Sequence, residues 1–272
     1  MNDRHDSLKI INDFISNNLP FKVVSNSIKY STPIIDSDDN SRNILLILDS
    51  SFNPPHWAHY TIISRAIEYY KSLGYISIRV MLLLSIENAD KKPKPASFHE
   101  RLDMLQIMAG IVCKQESIDT IVSITRFSKF VDKEKMIRGY NKTDKIVFLL
   151  GFDTATRLFE PKYYLPQTVP QALEKFMENT ELFCLTRGSN EETISEQLSL
   201  PAEIKSGKYE PNILKEWASK IHVISNRNQY KDVSSSTVRH ELLTGTPIKE
   251  LENQVPKEIL NYIQNSGASI FS

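Results

Sequence analysis

Short apolar runs alternate along the chain with segments in which apolar residues recur at helical spacing. The runs are too short to cross a membrane. They show no polar alternation, which is typical of strands covered on both faces of a sheet. We predict buried strands over residues 44–49, 76–86, 118–125, 145–150, 181–186 and 220–225, and a further short strand over residues 21–30.

The intervals between these runs carry the helical pattern. Helices are predicted over residues 1–18, from near His56 to Leu73, from Ser97 onwards and over residues 256–265, with a charged helix and loop at 127–140. Gly74 follows one of them as a C-cap, and Glu100 completes a capping box with Ser97. Strands that alternate with helices indicate an α/β fold, a doubly wound and mainly parallel sheet with flanking helices.

The chain divides into two unequal parts by its composition. Residues 1–43 are predicted to be an N-terminal helix and a lead-in segment, and residues 44–272 form the main domain. Within that domain, the stretch at about 188–217 is polar and without a regular pattern, and it is predicted to be an irregular, partly mobile insertion.

Composition excludes several classes of protein. Thirty-three basic and thirty-three acidic residues cancel, so no overall field favours nucleic acid or a membrane surface. The N-terminus lacks the pattern of a secretory signal, and two lone cysteines, Cys113 and Cys184, predict a reduced pair in the cytosol or the nucleus. The glycines form neither a GxGxxG fingerprint nor a P-loop.

The segment 44–59 predicts a strand, a sharp loop and the start of a helix. Such a corner gathers free backbone N–H groups at the positive end of a helix dipole, where phosphate binds readily. His56 and His59 are three residues apart, so both rings lie on one side of the first helical turn and can donate hydrogen bonds to phosphate oxygens. A plain corner with two exposed histidines fits the spacing equally well.

The residues of this corner resemble a known signature. The stretch Ser51-Phe52-Asn53-Pro54-Pro55-His56-Trp57-Ala58-His59 is similar to the GSFNPPHxGH motif of the nucleotidylyltransferase superfamily, specifically of the nicotinamide and nicotinate mononucleotide adenylyltransferases. The resemblance is closest to a divergent fungal branch. It implies a Rossmann-like nucleotidylyltransferase fold, catalytic roles for His56 and His59, and ATP contacts from Ser50, Ser51 and Phe52. Ser50 stands where the family usually has Gly, and its Cβ is expected to limit backbone approach to a phosphate.

A second segment resembles the same family near the other end of the chain. Residues 233–239, VSSSTVR, are similar to the ISSTxIR motif, which implies ATP contacts from Ser234, Ser235, Ser236 and Arg239. Hydroxyls at a helix start can cap the helix and donate to phosphate, while Arg239 reaches back from the next turn. A plain capped helix with a solvated arginine is the alternative for this motif alone.

The resemblance further implies a mononucleotide site. Gly151 and Asp153 match the GxD segment of the family, although Asp153 is equally natural as a helix N-cap. Tyr164 matches an aromatic residue that stacks on nicotinamide. The other residues implied to contact the mononucleotide or its phosphate are Asn53, Lys92, Arg187 and the segment His99-Glu100-Arg101.

The implied reaction is adenylyl transfer from ATP to nicotinamide mononucleotide, which gives NAD and pyrophosphate. Mg²⁺ is expected to accompany ATP, with no metal site of the protein's own. Two alternatives stay open: a nucleotidylyltransferase for another phosphorylated substrate, and a degenerate nucleotide-binding module with weak ATP hydrolysis. The implied adenylyl transfer requires His59 and Arg239 to meet over one triphosphate. The choice between nicotinamide and nicotinate and the oligomeric state are not determined by the sequence.

Overall fold

The computed structural model describes residues 3–27, 43–87, 95–140, 145–266 and 268–271. These residues form a seven-stranded sheet in the order β1-β4-β3-β2-β5-β6-β7, and every neighbouring pair is parallel except β1 with β4. The strands are β1 (Phe21–Ser27), β2 (Asn43–Ser50), β3 (Ser77–Ser85), β4 (Thr120–Thr125), β5 (Lys145–Gly151), β6 (Thr180–Leu185) and β7 (Ile221–Ile224). The predicted strands and the mainly parallel sheet are therefore confirmed.

The absence of polar alternation in β2 follows from its position at the centre of the sheet. Leu46 and Leu48 face one apolar core, whereas Leu45 and Ile47 face a second core on the other side of the sheet. Because both faces are covered, every position from Ile44 to Leu48 is apolar, and the polar residues of the strand stand at its two ends.

Helices cover both faces of the sheet. They are α1 (Asp3–Ser16), α2 (Trp57–Ser72), α3 (Phe98–Glu116), α4 (Phe130–Tyr140), α5 (Phe152–Leu158), α6 (Val169–Asn179), α7 (Glu191–Lys205), α8 (Ser235–Leu243), α9 (Ile248–Leu251) and α10 (Lys257–Ser266). The predicted caps are confirmed: Gly74 lies at φ +86° after α2, and Ser97 caps α3 through a capping box with Glu100. Among the residues that the structure describes, no helix is long and apolar enough to span a membrane.

The prediction that residues 188–217 are irregular is wrong, because this stretch contains α7. The side chain of Asn190 accepts hydrogen bonds from the backbone of Glu192 and Thr193 and so caps the helix. Ile194, Leu200 and Ile204 pack inwards, but the polar residues between them mask the apolar stripe in the sequence. The helix provides the crossover between β6 and β7, which are parallel and cannot be joined by a tight turn.

The strand order has a switch point between β2 and β5. From β2 the chain continues to β3 and β4 on one side, and from β5 it continues to β6 and β7 on the other side. In open parallel sheets, a crevice forms outside the carboxyl ends of the strands at such a point. The loop that follows β2 opens directly into this crevice.

Candidate active site

The corner between β2 and α2 holds two stacked imidazoles. His56 is the N-cap residue of α2, and its ring lies 3.8 Å from the ring of His59, centroid to centroid. His56 is only 6% exposed, and its Nδ1 atom is buried without a hydrogen-bond partner. The predicted placement of both rings on one side of the first turn is therefore confirmed.

The hydrogen bonds of His59 determine which of its ring nitrogens carries the proton. The backbone N–H of His56 donates to His59 Nδ1 at 3.2 Å, so Nδ1 is the acceptor and the proton of the neutral ring lies on Nε2. His59 Nε2 in turn lies 3.1 Å from the hydroxyl oxygen of Ser50, to which it donates. The residue that replaces the glycine of the family signature thus contacts a catalytic candidate directly.

Both imidazoles are neutral in the free protein. Burial lowers the pKa of His59 to about 3. Burial also lowers the pKa of His56 well below its ordinary value, and the nearby His59 and Arg187 lower it further. The rings therefore act first as N–H donors, and an anion bound beside them would raise both pKa values.

The start of α8 is docked on the loop that follows β2. The Ser235 hydroxyl donates to the carbonyl of Pro54 at 2.9 Å, and Arg239 Nη1 donates to the carbonyl of Asn53 at 2.6 Å. Arg239 Nη2 lies 3.3 Å from the hydroxyl of Ser236, while Ser234 caps the helix. The two segments that resemble the family signatures are therefore in direct contact.

The histidine pair and Arg239 line one cavity of about 610 Å³, the main cavity. The structure thus brings His59 and Arg239 together, as the sequence requires. The other predicted site residues that line the main cavity are Ser50, Ser51, Asn53, Arg101, Gly151, Arg187, Ser234, Ser235 and Ser236.

Phe52 and Asp153 lie differently from expectation. Phe52 is fully buried with its ring 5.1 Å from that of His59, so its side chain supports the histidine from behind instead of facing the main cavity. Gly151, not Asp153, is the N-cap of α5. The carboxylate of Asp153 is exposed and pairs with Arg187 Nη1 at 2.9 Å, so it reaches the site through that arginine.

Tyr164 lines a smaller second chamber of about 270 Å³ beside the main cavity. Its hydroxyl donates to the carbonyl of Leu158 at 2.7 Å, which fixes the ring in the chamber wall. The two spaces share Asp49, Ser50, Ser51, Ser85 and Thr154, so a single elongated ligand can occupy both. Lys92, the remaining predicted contact, lies outside the described residues.

Arg101 is a buried cation in the lining of the main cavity. It is 4% exposed, its Nε donates to the carbonyl of Ala96 at 2.9 Å, and its Nη2 has no partner. Burial, together with the charge of Arg239, lowers the pKa of Arg101 to about 10. Two guanidinium groups held beside each other in a cavity create a strong demand for an anion.

Two features of the site, an ion pair and a glutamine, are not predicted from the sequence. Asp49 and Lys133 form a buried ion pair in the wall of the second chamber. Gln197, on the helix that the sequence does not predict, exchanges two hydrogen bonds with the backbone of Arg187, at 2.8 and 2.9 Å. A lysine in a charged helix and a glutamine in a polar stretch both look like surface residues, because only the fold brings them inside.

Comparison with known proteins extends these observations. The family model described as cytidylyltransferase-like matches residues 47–241. A Schizosaccharomyces pombe protein, provisionally named a nicotinamide mononucleotide adenylyltransferase, is 32% identical over 222 residues, which cover 81% of this chain and 84% of that protein.

Solved structures share the fold. The nicotinic acid mononucleotide adenylyltransferase of Plasmodium falciparum, complexed with NaAD, has a TM-score of 0.55 at 17% identity, covering 85% of this chain and 98% of that chain. The same enzyme complexed with APC gives a TM-score of 0.55 at 16% identity with the same coverage. At these identities the likeness concerns the Rossmann-like nucleotidylyltransferase fold alone.

Proposed function

The chain belongs to the cytidylyltransferase-like family, and from this premise we propose that it transfers the adenylyl group of ATP to nicotinamide mononucleotide. The products are NAD and pyrophosphate, so the protein acts in NAD biosynthesis or salvage. The observation that carries the proposal is the convergence of His59, Arg239 and the Ser234–Ser236 segment on one cavity at the switch point of the sheet. The name of the S. pombe relative favours the same reaction.

The chemistry requires positioning and charge stabilisation more than proton transfer. A 5′-phosphate oxygen of the mononucleotide attacks the α-phosphorus of ATP, the new P–O bond forms, and the bond to the bridging oxygen of the β-phosphate breaks. A phosphate dianion is already a competent nucleophile, so the protein needs no general base. It has to hold two anions together and stabilise the charge on the transferring and leaving groups.

The residues of the main cavity divide this task. When ATP binds, the Nε2 proton of His59 would turn from the Ser50 hydroxyl to a phosphate oxygen at the reacting centre. His56 would donate there from the ring nitrogen that carries its proton. Arg239, with the hydroxyls and backbone N–H groups at the start of α8, holds the leaving pyrophosphate, and the unpartnered Nη2 of Arg101 adds a further donor. Arg239 uses one donor on the Asn53 carbonyl and keeps others for the ligand.

Mg²⁺ enters in this proposal with ATP as part of the substrate. Members of this family generally use a divalent metal with ATP. Among the described residues there is no cluster of three or more His, Cys, Asp or Glu side chains arranged for a metal ion. Binding through the phosphates and water is usual for Mg²⁺ and fits the cationic, hydroxyl-rich cavity.

The mononucleotide would extend from the main cavity into the second chamber. Its phosphate would lie near Ser51, Asn53 and Arg187 in the lining of the main cavity, and its base would lie beside Tyr164. Burial raises the pKa of the Tyr164 hydroxyl, so this ring stays neutral and suits stacking against a pyridinium. We place this activity in the cytosol or the nucleus, since a chain with two cysteines builds no disulfide framework of the kind found in secreted proteins.

The test is incubation of purified protein with ATP, Mg²⁺ and each candidate acceptor, with dinucleotide and pyrophosphate followed together. Equal release of NAD and pyrophosphate is the expected result. Orthophosphate without a dinucleotide would instead identify an ATP-hydrolysing module. Product from pantetheine phosphate or choline phosphate alone would identify a nucleotidylyltransferase of another specificity.

A further inference from the structure

A buried ion pair, Asp49–Lys133, forms part of the wall of the second chamber. The Asp49 side chain is 9% exposed and that of Lys133 is 3% exposed, and the Lys133 ammonium donates to Asp49 Oδ2. Ser85 donates to the other carboxylate oxygen, Oδ1, at 2.9 Å. The Lys133 nitrogen also lies 5.0 Å from the centre of the Phe130 ring. Both charges are therefore held in fixed positions in the lining of the second chamber.

The other charged groups around the second chamber lie in water. Glu87, Lys129 and Arg157 line it but are exposed, and Glu87 is paired with Arg126 at 3.8 Å. Water and salt screen these exposed groups, so they discriminate little between two ligands that differ by one charge. The Asp49–Lys133 pair is buried and can distinguish such ligands, although its own two charges sum to zero.

The walls of the second chamber suit a flat ring. Phe130, Tyr163 and Tyr164 contribute aromatic surface, and the Tyr164 ring is fixed by its bond to Leu158. If the main cavity holds the phosphates, as the proposed function requires, the base of the acceptor mononucleotide reaches this space. The substituent on its ring then meets the ion pair.

We propose that the Asp49–Lys133 pair determines acceptor specificity and selects nicotinamide mononucleotide over nicotinate mononucleotide. A carboxamide carries one acceptor and one donor group, so its carbonyl oxygen can accept from Lys133 while its amino group donates to Asp49. A nicotinate carboxylate can use Lys133 only, and it brings a second negative charge against Asp49 in a poorly hydrated site. Like charges in such a place repel strongly, and rejection of the wrong ligand is a common source of specificity.

The test is the ratio of kcat/KM for nicotinamide mononucleotide to that for nicotinate mononucleotide, measured with ATP and Mg²⁺. For the wild type we expect a ratio of about 10 or more, and Asp49→Asn should lower it by about tenfold or more, since the repulsion is removed and Lys133 is left to attract a carboxylate. A wild-type ratio near 1, or an Asp49→Asn ratio within about twofold of the wild type, overturns the proposal.

A second variant keeps the test decisive if Asp49→Asn does not fold, because it leaves Lys133 buried without its partner. Asp49→Asn combined with Lys133→Gln replaces the ion pair by two neutral amides, and it should also lower the ratio, since the repulsion of a carboxylate disappears. The matched control is Glu134→Gln on the same helix. Glu134 pairs with Arg138 at 2.6 Å and does not line the chamber, so its loss should leave the ratio unchanged.

The specificity inference rests on the proposed function, and the same assay separates their failures. If the wild type makes a dinucleotide from neither mononucleotide, the proposed function fails and the specificity inference fails with it. If the wild type makes dinucleotide but the ratio does not respond to either variant, the adenylyl transfer stands and only the role of the ion pair is wrong.

Discussion

His59 is arranged as a neutral hydrogen-bond donor, not as a fixed cation. The His56 backbone occupies its Nδ1, the Nε2 proton points at Ser50 beside the main cavity, and burial keeps its pKa at about 3. Because the pKa of His59 in the free enzyme lies so low, its titration should not change kcat/KM for ATP between pH 5 and pH 8.

We predict that His59→Ala keeps the fold and loses about 10²–10³-fold in turnover, since one donor to the developing charge is removed. His59→Asn should retain more activity than His59→Ala, because its amide also donates from a neutral group. Steady-state kinetics with circular dichroism measures both effects. His240→Ala is the control, as His240 is exposed on α8 and does not line the main cavity. Wild-type-like turnover of His59→Ala would remove this residue from the mechanism.

Arg101 should contribute to ATP binding through its unpartnered nitrogen. In Arg101→Gln the cavity loses one buried cation beside Arg239. A charge-assisted hydrogen bond contributes about 1.5–3 kcal/mol, so we expect KM for ATP to rise at least tenfold. Initial rates at varied ATP give the value, and the exposed Arg65→Gln, which removes a surface pair with Glu68, serves as comparison. An unchanged KM would show that Arg101 acts only in packing α3.

Among the strands and helices, the sequence predicts those with a repeating apolar pattern and misses contributions that depend on a single side chain. The strands and most helices follow from apolar runs, spacing and caps, because burial on both faces of a sheet constrains every residue of β2. The helices α6, α7 and α9 are not predicted, and in α7 a buried Gln197 and an internal Pro201 interrupt the apolar stripe. Likewise, the two segments that resemble the family motifs locate the main cavity. Lys133 and Asp49 are 84 residues apart in the sequence and meet only in the folded chain.

The role of α7 can be tested at Gln197, which ties this helix to the strand-end loop carrying Arg187. Gln197→Ala leaves two backbone groups of Arg187 without partners, at a cost of about 1–3 kcal/mol in the free energy of unfolding. It should also raise KM for the mononucleotide, because Arg187 loses its fixed position. Urea unfolding and initial rates measure the two effects.

The matched control for this element is Gln171→Ala. Gln171 accepts from the Thr168 backbone at 2.9 Å in the capping box of α6 and does not line the main cavity or the second chamber. Its loss should lower stability without changing KM. If Gln197→Ala behaves in the same way, α7 stabilises the fold but does not position the site.

At the scale of the whole molecule, the two ends of the sheet serve different purposes. The carboxyl ends of the strands surround the main cavity, whereas the amino ends are joined by a buried network around Glu181 at the start of β6. Glu181 accepts from Lys145 of β5 at 2.6 Å, His222 of β7 at 3.0 Å and Tyr70 of α2 at 3.1 Å. One carboxylate thus links three strands and a helix far from the chemistry.

This network should make the fold sensitive to acid. Burial alone would raise the pKa of Glu181, but hydrogen bonds from His222 and Lys145 outweigh it and lower the pKa to about 2. A carboxyl group with a lowered pKa stabilises the folded state above its unfolded pKa of about 4.5, and this contribution disappears as the pH falls towards 2. At neutral pH it amounts to about 3 kcal/mol in the free energy of unfolding.

We therefore expect Glu181→Gln to unfold at a lower urea concentration than the wild type at pH 7, by an amount that corresponds to about 3 kcal/mol. Between pH 4.5 and pH 2, the variant should lose less stability than the wild type. The lowered pKa of His59 contributes its own slope between pH 6.5 and 3 in both proteins, so the difference between them isolates Glu181. Glu68→Gln, which removes an exposed pair with Arg65, should leave the difference between the curves unchanged. Parallel acid curves for Glu181→Gln and the wild type would mean that this network is not what holds the amino ends of the sheet together at neutral pH.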